Sequence, residues 1–283
     1  MKTAAATAFV ALLLAPSAFA AGDPEIAALQ VGLKNRGLYA GTVDGVLGPG
    51  TVTAVTQLQL RAGMVPDGVP GAGTRAALGG YGKSAPLGRR VLAAGMRGWD
   101  VAALQFALAW HGFPSGNLDG QFGASTQRAL RSFQHWAGLR ADGRAGRSAV
   151  AALKAPLPTC PIRLAAPVAR PVSDLFGPRG HRFHGGIDYS AATGTRVRAA
   201  ASGRVTFAGW NPGGWGYAVT IDHGGGVRTL YAHLSRVGVR AGRRVAAGQP
   251  IGRVGASGNA SGPHLHFEVR LRGAAVDPLT GLS

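Results

Sequence analysis

The chain has 283 residues, a formal net charge of +18 and one cysteine, Cys160, so no internal disulfide can form. This length accommodates two or three domains. The positive charge is typical of proteins that bind nucleic acid or another polyanion, and by itself it leaves both classes of partner open.

Residues 1–20 have the composition of a secretory signal peptide. Lys2 precedes a short apolar run that Pro16 interrupts, and Ala18-Phe19-Ala20 supplies the small residues of a cleavage site. No later stretch reaches the roughly 18 uninterrupted apolar residues that a bilayer span needs. We therefore expect cleavage after Ala20, export to the periplasm or the medium, and no transmembrane anchor.

An internal repeat follows, in which residues 25–79 and 100–154 align without a gap at an offset of 75 positions. The first copy has its matched residues at Leu29-Gln30, Asp44-Gly45, Gln59 and Asp67-Gly68, and the second at Leu104-Gln105, Asp119-Gly120, Gln134 and Asp142-Gly143. Apolar residues recur at helical spacing, and Asp-Gly turns separate the helices. Each copy is therefore predicted to form a small three-helix unit, at residues 23–79 and 98–154, with a linker at 80–97.

The order Leu-Gln, Asp-Gly-x-x-Gly-x-x-Thr, Gln and a second Asp-Gly resembles the peptidoglycan-binding domain one family. The resemblance implies that both units bind bacterial peptidoglycan. The recurring aspartates precede glycine in turns, where a short carboxylate caps the backbone, so we predict a structural role rather than metal or acid chemistry. Thr51 and Thr126 are predicted helix N-caps. Trp110 and Trp136 are predicted to pack in a core, with a sugar-binding groove as the alternative.

A proline-rich linker at 155–162 precedes a change of pattern. From residue 163 onward, short runs rich in valine and arginine alternate with glycine turns, and no helix-length pattern interrupts them, which predicts an antiparallel β domain over 163–283. The expected fold class is therefore multi-domain α+β, with two three-helix units followed by an all-β domain. Cys160 lies in the linker, and we expect it to be free and inert.

The strongest chemical motif alternates as a strand does. His264, His266 and Glu268 fall on one face, and three apolar residues fall on the other. This arrangement is typical of histidines that bind a metal ion. The alternative is that the histidines are solvated or pack against other residues. Further upstream, His184 and Asp188 lie four residues apart and share a face if the chain is extended. Two histidines and one carboxylate make a ligand set for zinc with a fourth position open, as in catalytic sites.

Residues 165–279 resemble the lysostaphin-type (LytM-like) zinc metallopeptidases, which cut peptidoglycan peptides. The matching pieces, in the family's order, are Phe176-Gly177-Pro178-Arg179, residues 184–188, Tyr231-Ala232-His233-Leu234-Ser235, Gly255-Ala256-Ser257-Gly258 and residues 264–268. The resemblance implies that His184, Asp188 and His266 bind Zn2+. It also implies that His233 and His264 act beside the metal as base and oxyanion donor, in an order that the sequence does not decide.

Neighbouring polar residues have weaker interpretations. Arg179 either binds a substrate carboxylate or is solvated, and Glu268 is a weak candidate for orienting a ligand histidine. His181 is predicted to be a loop residue, with substrate contact as an option, and His223 to have a structural role at a turn.

The sequence thus predicts an exported zinc endopeptidase that hydrolyses peptide cross-links of bacterial peptidoglycan, with two repeats that hold it on the wall. The first alternative is a non-catalytic wall-binding protein or amidase activator on the same scaffold. A nucleic-acid binder is the second and weaker alternative, because export argues against it and no base-reading motif is present. The charge fits attraction to anionic wall polymers or a mere preference for arginine. The bond cut, a D-alanyl–diaminopimelate cross-link or a glycine bridge, and the oligomeric state are left open, with the former bond favoured.

Overall fold

The computed structural model describes residues 22–283, so the predicted signal peptide lies outside the described residues. Six helices come first: α1 (Pro24–Asn35), α2 (Pro49–Arg61), α3 (Ala72–Ala77), α4 (Trp99–Trp110), α5 (Ala124–Trp136) and α6 (Arg147–Ala152). The last three repeat the first three at a constant shift of 75 positions, as the sequence repeat predicts. Among residues 22–283, no helix combines the length and the apolar character needed to cross a bilayer.

A buried glutamine holds each Asp-Gly turn. The Gln105 amide donates to Asp119 Oδ1 at 2.9 Å, and the Gly120 N–H donates to Gln105 Oε1 at 2.9 Å. The same pair of bonds recurs at the other three turns through Gln30, Gln59 and Gln134. Gly120 has φ +70°, a left-handed conformation that favours glycine. The recurring aspartates are therefore structural, as predicted.

The helix-capping prediction is wrong. Helix α2 begins at Pro49, and Thr51 lies within its first turn, where its hydroxyl accepts from the Gln30 amide at 3.1 Å. Thr126 does the same with Gln105 in α5. The threonine hydroxyls are thus used by the glutamine network instead of capping the helix.

The two three-helix units share a core, because α1 packs along α4. The predicted linker at 80–97 takes part in this packing. Tyr81 donates to Ala28 O at 2.8 Å, and Leu92 is fully buried against the second unit. The segment therefore contacts both units along its length.

The C-terminal region contains eleven strands: β1 (Gly177–Arg179), β2 (Arg182–His184), β3 (Ile187–Ser190), β4 (Arg196–Arg198), β5 (Gly203–Asn211), β6 (Gly216–Gly224), β7 (Val227–Val237), β8 (Arg244–Val245), β9 (Pro250–Val254), β10 (His264–Leu271) and β11 (Ala274–Val276). Nine of them form one sheet whose main path is β11-β10-β7-β6-β5-β8, with β3 beside β10, β9 beside β7 and β4 beside β9. Strands β1 and β2 pair only with each other. Since all these pairs are antiparallel, the predicted multi-domain α+β class is confirmed.

The second three-helix unit packs on the β domain. Trp110, at the end of α4, makes edge contacts with Phe176 and Phe183, with ring centroids 6.2 and 5.3 Å apart. Trp136 Nε1 donates to Leu271 O at 3.1 Å. Both tryptophans therefore pack, and each contacts its own helical unit as well as the β domain.

Candidate metal centre

Side chains from two distant segments of the sequence meet at one point. His184 Nε2 lies 3.2 Å from Asp188 Oδ1 and 3.0 Å from His266 Nδ1, and the last two atoms are 2.8 Å apart. All three residues are buried. The structure thus brings together the three predicted metal ligands.

The pairing of β3 with β10 produces this convergence. Asp188 in β3 lies directly opposite His266 in β10, and His184 ends the hairpin strand β2 just before β3. Leu265 and Phe267 are fully buried in the core of the β domain. Because side chains alternate along a strand, the histidines of β10 take the opposite face, toward Asp188.

Each histidine of the cluster is held through its other ring nitrogen. His184 Nδ1–H donates to Leu175 O at 2.8 Å, and His266 Nε2–H donates to Glu268 Oε1 at 3.0 Å. Glu268 is buried, and its other oxygen accepts from Arg270 Nε at 2.8 Å. These contacts direct the other nitrogen of each ring toward Asp188. In metal sites, histidines are oriented in the same way, by a hydrogen bond at the ring nitrogen that does not bind the metal.

The donor set fits a zinc ion. Zinc takes imidazole nitrogen and carboxylate oxygen at about 2.0–2.2 Å in a tetrahedron, which places neighbouring donors about 3.3 Å apart. The three observed separations, from 2.8 to 3.2 Å, lie within a few tenths of an ångström of that value.

The charges of the cluster are strongly coupled. Burial by itself raises the pKa of the Asp188 carboxyl, but hydrogen bonds from His184 and His266 outweigh it and hold that pKa well below its usual range. Burial lowers the pKa of His266, but its hydrogen bonds with Asp188 and Glu268 raise that pKa to about 9. Asp188 is therefore an anion, and a cation competes with a proton for the His266 nitrogen.

His233 and His264 lie beside the three ligands, with their ring centroids 4.7 Å apart and His264 Nε2 4.0 Å from Asp188 Oδ1. His233 Nδ1–H donates to Ser257 O and His264 Nδ1–H to Gly262 O, so each ring keeps Nε2 free. Burial lowers the pKa of His233, which favours the neutral ring. A neutral imidazole held at Nδ1 in this way can accept a proton at Nε2.

All five predicted site residues line an open cleft of about 690 Å3. In the described part of the chain, its walls come only from residues between 173 and 266, and they include Ser173, Asp174, Arg179, Trp215 and Asn259. Neither three-helix unit lines the cleft. Trp210, near the end of β5, is 55% exposed and does not line it, whereas Gly213, Gly214 and Trp215 of the following turn do.

Other predicted residues have definite places. Arg179 is exposed and forms ion pairs with Asp188 and Asp174, so it can bind a substrate carboxylate only by exchanging partners. His181 lies at the tip of the β1–β2 hairpin, away from the cluster. His223 hydrogen-bonds the Ser202 carbonyl and the Thr229 hydroxyl, a structural role.

Two contributors were missed from the sequence. Asp174 pairs with Arg179, and the backbone carbonyl of Leu175 holds the His184 ring. The only available indication was their position directly before the motif that begins at Phe176. A backbone carbonyl leaves no trace in the residue type, because every residue has one.

Both parts of the chain match families of known proteins. Residues 182–278 match the family described as peptidase family M23, and residues 22–78 and 97–153 match the family described as putative peptidoglycan binding domain. The chain is similar to the DD-carboxypeptidase/endopeptidase Mpg of Neisseria meningitidis serogroup B, with 49% identity over 115 residues that cover 38% of this chain and 26% of that protein.

It is also similar to the murein hydrolase activator EnvC of Escherichia coli, with 39% identity over 124 residues that cover 41% of this chain and 29% of that protein. Among solved structures, a zinc-containing peptidase from Vibrio cholerae is 34% identical over 40% of this chain and 37% of that chain, with a TM-score of 0.38. The chain spans less than a third of the length of the two curated relatives.

Proposed function

Because residues 182–278 belong to peptidase family M23 and follow two putative peptidoglycan binding domains, we propose that the chain is a zinc-dependent endopeptidase that hydrolyses peptide cross-links of bacterial peptidoglycan. The observation that carries the proposal is the cluster of donor atoms from His184, Asp188 and His266, none more than 3.2 Å from another, in an open cleft. A closed structural site needs a fourth protein ligand, whereas a cleft admits substrate.

In this proposal His184, Asp188 and His266 hold the zinc ion. The ion supplies Lewis acidity, which polarises the scissile carbonyl and makes water acidic enough to lose a proton near neutral pH. Buried Glu268 fixes the ring of His266, and Arg179 holds the second oxygen of Asp188 at 2.9 Å.

His233 and His264 supply the proton transfers. Their Nδ1 atoms are held by backbone carbonyls, so the free Nε2 atoms face the cleft in a defined tautomer. One ring accepts a proton at Nε2 from the attacking water, and the other, when it carries a proton on both ring nitrogens, donates its Nε2–H to the carbonyl oxygen as negative charge develops there. Each ring has a backbone carbonyl at Nδ1 and lines the cleft, so both roles are assigned to the pair.

The proposed substrate is the D-alanyl–diaminopimelate cross-link rather than a glycine bridge. The relative from N. meningitidis, which is 49% identical over 115 residues, is named a DD-carboxypeptidase/endopeptidase. The two repeats are proposed to bind peptidoglycan and to raise the concentration of the β domain at this insoluble substrate. Such a substrate lies outside the cytoplasm, so secretion or a periplasmic, wall-associated location is part of the proposal.

The similarity to a murein hydrolase activator supports one alternative, a non-catalytic activator. An activator has no need of a ligand set or of two histidines with free Nε2 atoms beside it. The complete cluster therefore favours the peptidase.

The test compares the full-length protein with His266→Ala, and with His181→Ala as a control histidine outside the cluster. Zinc content, loss of turbidity of purified DD-cross-linked walls and mass spectrometry of the released fragments are measured. We expect wild type and His181→Ala to bind zinc and release cleaved cross-link peptides, and His266→Ala to lose both properties. If His266→Ala clears walls as fast as wild type, the proposed metal role is wrong. If wild type releases nothing, the activator is favoured.

A further inference from the structure

The two repeats contact the same turn of the β domain through equivalent residues. The Val43 N–H donates to Gly180 O at 2.8 Å, and the Leu118 N–H donates to His181 O at 2.8 Å. Val43 and Leu118 occupy the same position of the two repeats, 75 residues apart. The tip of the β1–β2 hairpin therefore lies between the repeats, and each repeat binds one of two consecutive carbonyls.

The residue directly before each of these positions contacts the same turn through its side chain. Thr42 Oγ1 accepts from the Gly180 N–H at 3.4 Å, and Asn117 Oδ1 accepts from Arg182 Nε at 3.2 Å. Thr42 and Asn117 are again equivalent positions of the two repeats. We call residues 42–43 and 117–118 the clamp.

The hairpin depends on such outside support. Strands β1 and β2 have three residues each, and neither joins the nine-stranded sheet. An isolated two-stranded hairpin is only marginally stable in water. Its apolar side chains Phe176 and Phe183 pack on Trp110, so the second repeat also supports the end of the hairpin opposite the tip.

The hairpin carries two groups of the metal centre. Arg179, the last residue of β1, donates to Asp188 Oδ2 at 2.9 Å. His184, the last residue of β2, places Nε2 3.0 Å from His266 Nδ1. A shift of the hairpin therefore moves one ligand and the cation that holds another.

We propose that the two repeats position the β1–β2 hairpin for metal binding and catalysis, with the clamp as a set of positioning residues. The repeats then complete the site from outside the cleft, in addition to binding the wall. Both copies take part because each supplies the donor for one of the two consecutive carbonyls of the turn. The kinetic part of this inference rests on the proposed peptidase function, whereas its structural and metal-binding parts do not.

The repeat itself offers a matched pair of variants. Gly37 and Gly112 are equivalent, with φ +67° and +86°, so alanine adds left-handed strain at both positions. A Cβ at Gly37 meets nothing within 4 Å, whereas a Cβ at Gly112 collides with the backbone of Ala275 in β11. Gly112→Ala therefore separates the second repeat from the β domain, and Gly37→Ala is its control.

Three measurements on the full-length variants test the inference. In Gly112→Ala we expect faster amide hydrogen exchange at Val43 and Leu118, a zinc Kd raised about tenfold, and a kcat on a short soluble cross-linked peptide lowered by about 10- to 100-fold with KM within about twofold. Gly37→Ala should match wild type in all three. A lost tether alone leaves kcat on a soluble peptide unchanged, so this readout separates positioning from wall binding.

The inference is overturned if amide exchange at Val43 and Leu118 accelerates in Gly112→Ala while the zinc affinity stays within about twofold of wild type. It is also overturned if Gly112→Ala and Gly37→Ala lower the zinc affinity equally. If Gly112→Ala does not fold, Asn117→Leu serves instead, because it removes one exposed clamp contact without changing the core. We expect its zinc affinity to fall by about 2- to 10-fold, which corresponds to the loss of one hydrogen bond. Unchanged zinc affinity in that variant contradicts the clamp. If wild type proves not to be a peptidase, the exchange and zinc measurements still decide.

Discussion

Glu268→Gln tests whether a buried carboxylate outside the ligand set controls metal affinity. Glu268 Oε1 accepts from His266 Nε2 at 3.0 Å, and Oε2 accepts from Arg270 Nε at 2.8 Å. Glutamine keeps the size of the side chain but has one acceptor oxygen for these two donors. Its amide nitrogen must then face a donor, so either the His266 ring or the Arg270 guanidinium loses its partner.

We expect zinc affinity to fall by about 10- to 100-fold, the usual effect of losing a group that orients a metal-binding histidine. This range corresponds to about 1.4 to 2.7 kcal/mol, since each tenfold change is about 1.4 kcal/mol. The control is Asp222→Asn, which removes a carboxylate paired with Arg228 at 3.1 Å on the same sheet but away from the cluster.

The assay is competition with a chelator of known zinc affinity, at one fixed pH because protons compete for the same imidazole nitrogen. With saturating zinc, the kcat of Glu268→Gln should return to within about tenfold of wild type, because the ligands themselves are intact. A Kd of Glu268→Gln that equals those of wild type and Asp222→Asn would refute the assigned role of the carboxylate.

Three further predictions concern other groups. His233→Ala and His264→Ala should each lower kcat by about 10²- to 10⁴-fold while the zinc content stays that of wild type, because these rings transfer protons without binding the metal; loss of zinc from either variant would contradict this. Burial lowers the pKa of His223 below its usual value, so the unfolded chain binds more protons there. The stabilisation that neutral His223 gives is complete above about pH 6.5 and is lost as the pH falls through the lower pKa of the folded state. The free energy of unfolding in urea should therefore differ less between pH 7.5 and pH 5.5 in His223→Gln than in wild type. Gln105→Ala should lower the free energy of unfolding by about 1–3 kcal/mol because it leaves the polar groups of a buried turn unpaired, whereas Gln57→Ala, at an exposed position of α2, should change it by less than about 0.5 kcal/mol in the same urea titration.

The local parts of the fold were predictable because they follow backbone periods. The alternation of β10 places Leu265 and Phe267 in the core and His266 on the site face, and a period of two is visible in the residue types alone. The repeat likewise transfers its three helices at a fixed offset. Residue type and spacing are sufficient to predict these elements, because strand alternation and the repeat offset are regular along the sequence.

The N-cap role of Thr51 failed for a physical reason. A hydroxyl near a helix start suits a cap, but a buried glutamine from another helix competes for it, and the prediction had no view of that partner. The weak prediction that Glu268 orients a histidine agrees with the structure, in which Glu268 accepts from His266. The two residues are two positions apart on one strand, so the contact is local, whereas the burial of Glu268 depends on the rest of the domain.

By itself, then, the sequence determined the two helical repeats, the β domain and the identity of the residues that meet at the candidate metal centre, because periodicity and motif spacing are written into neighbouring residues. Only the tertiary structure decided which nitrogen of each histidine faces Asp188, that Arg179 is paired, and that both repeats bind the turn at Gly180. These contacts join side chains and backbone groups from separately folded elements. Their geometry depends on how whole surfaces pack, and no local pattern carries that information.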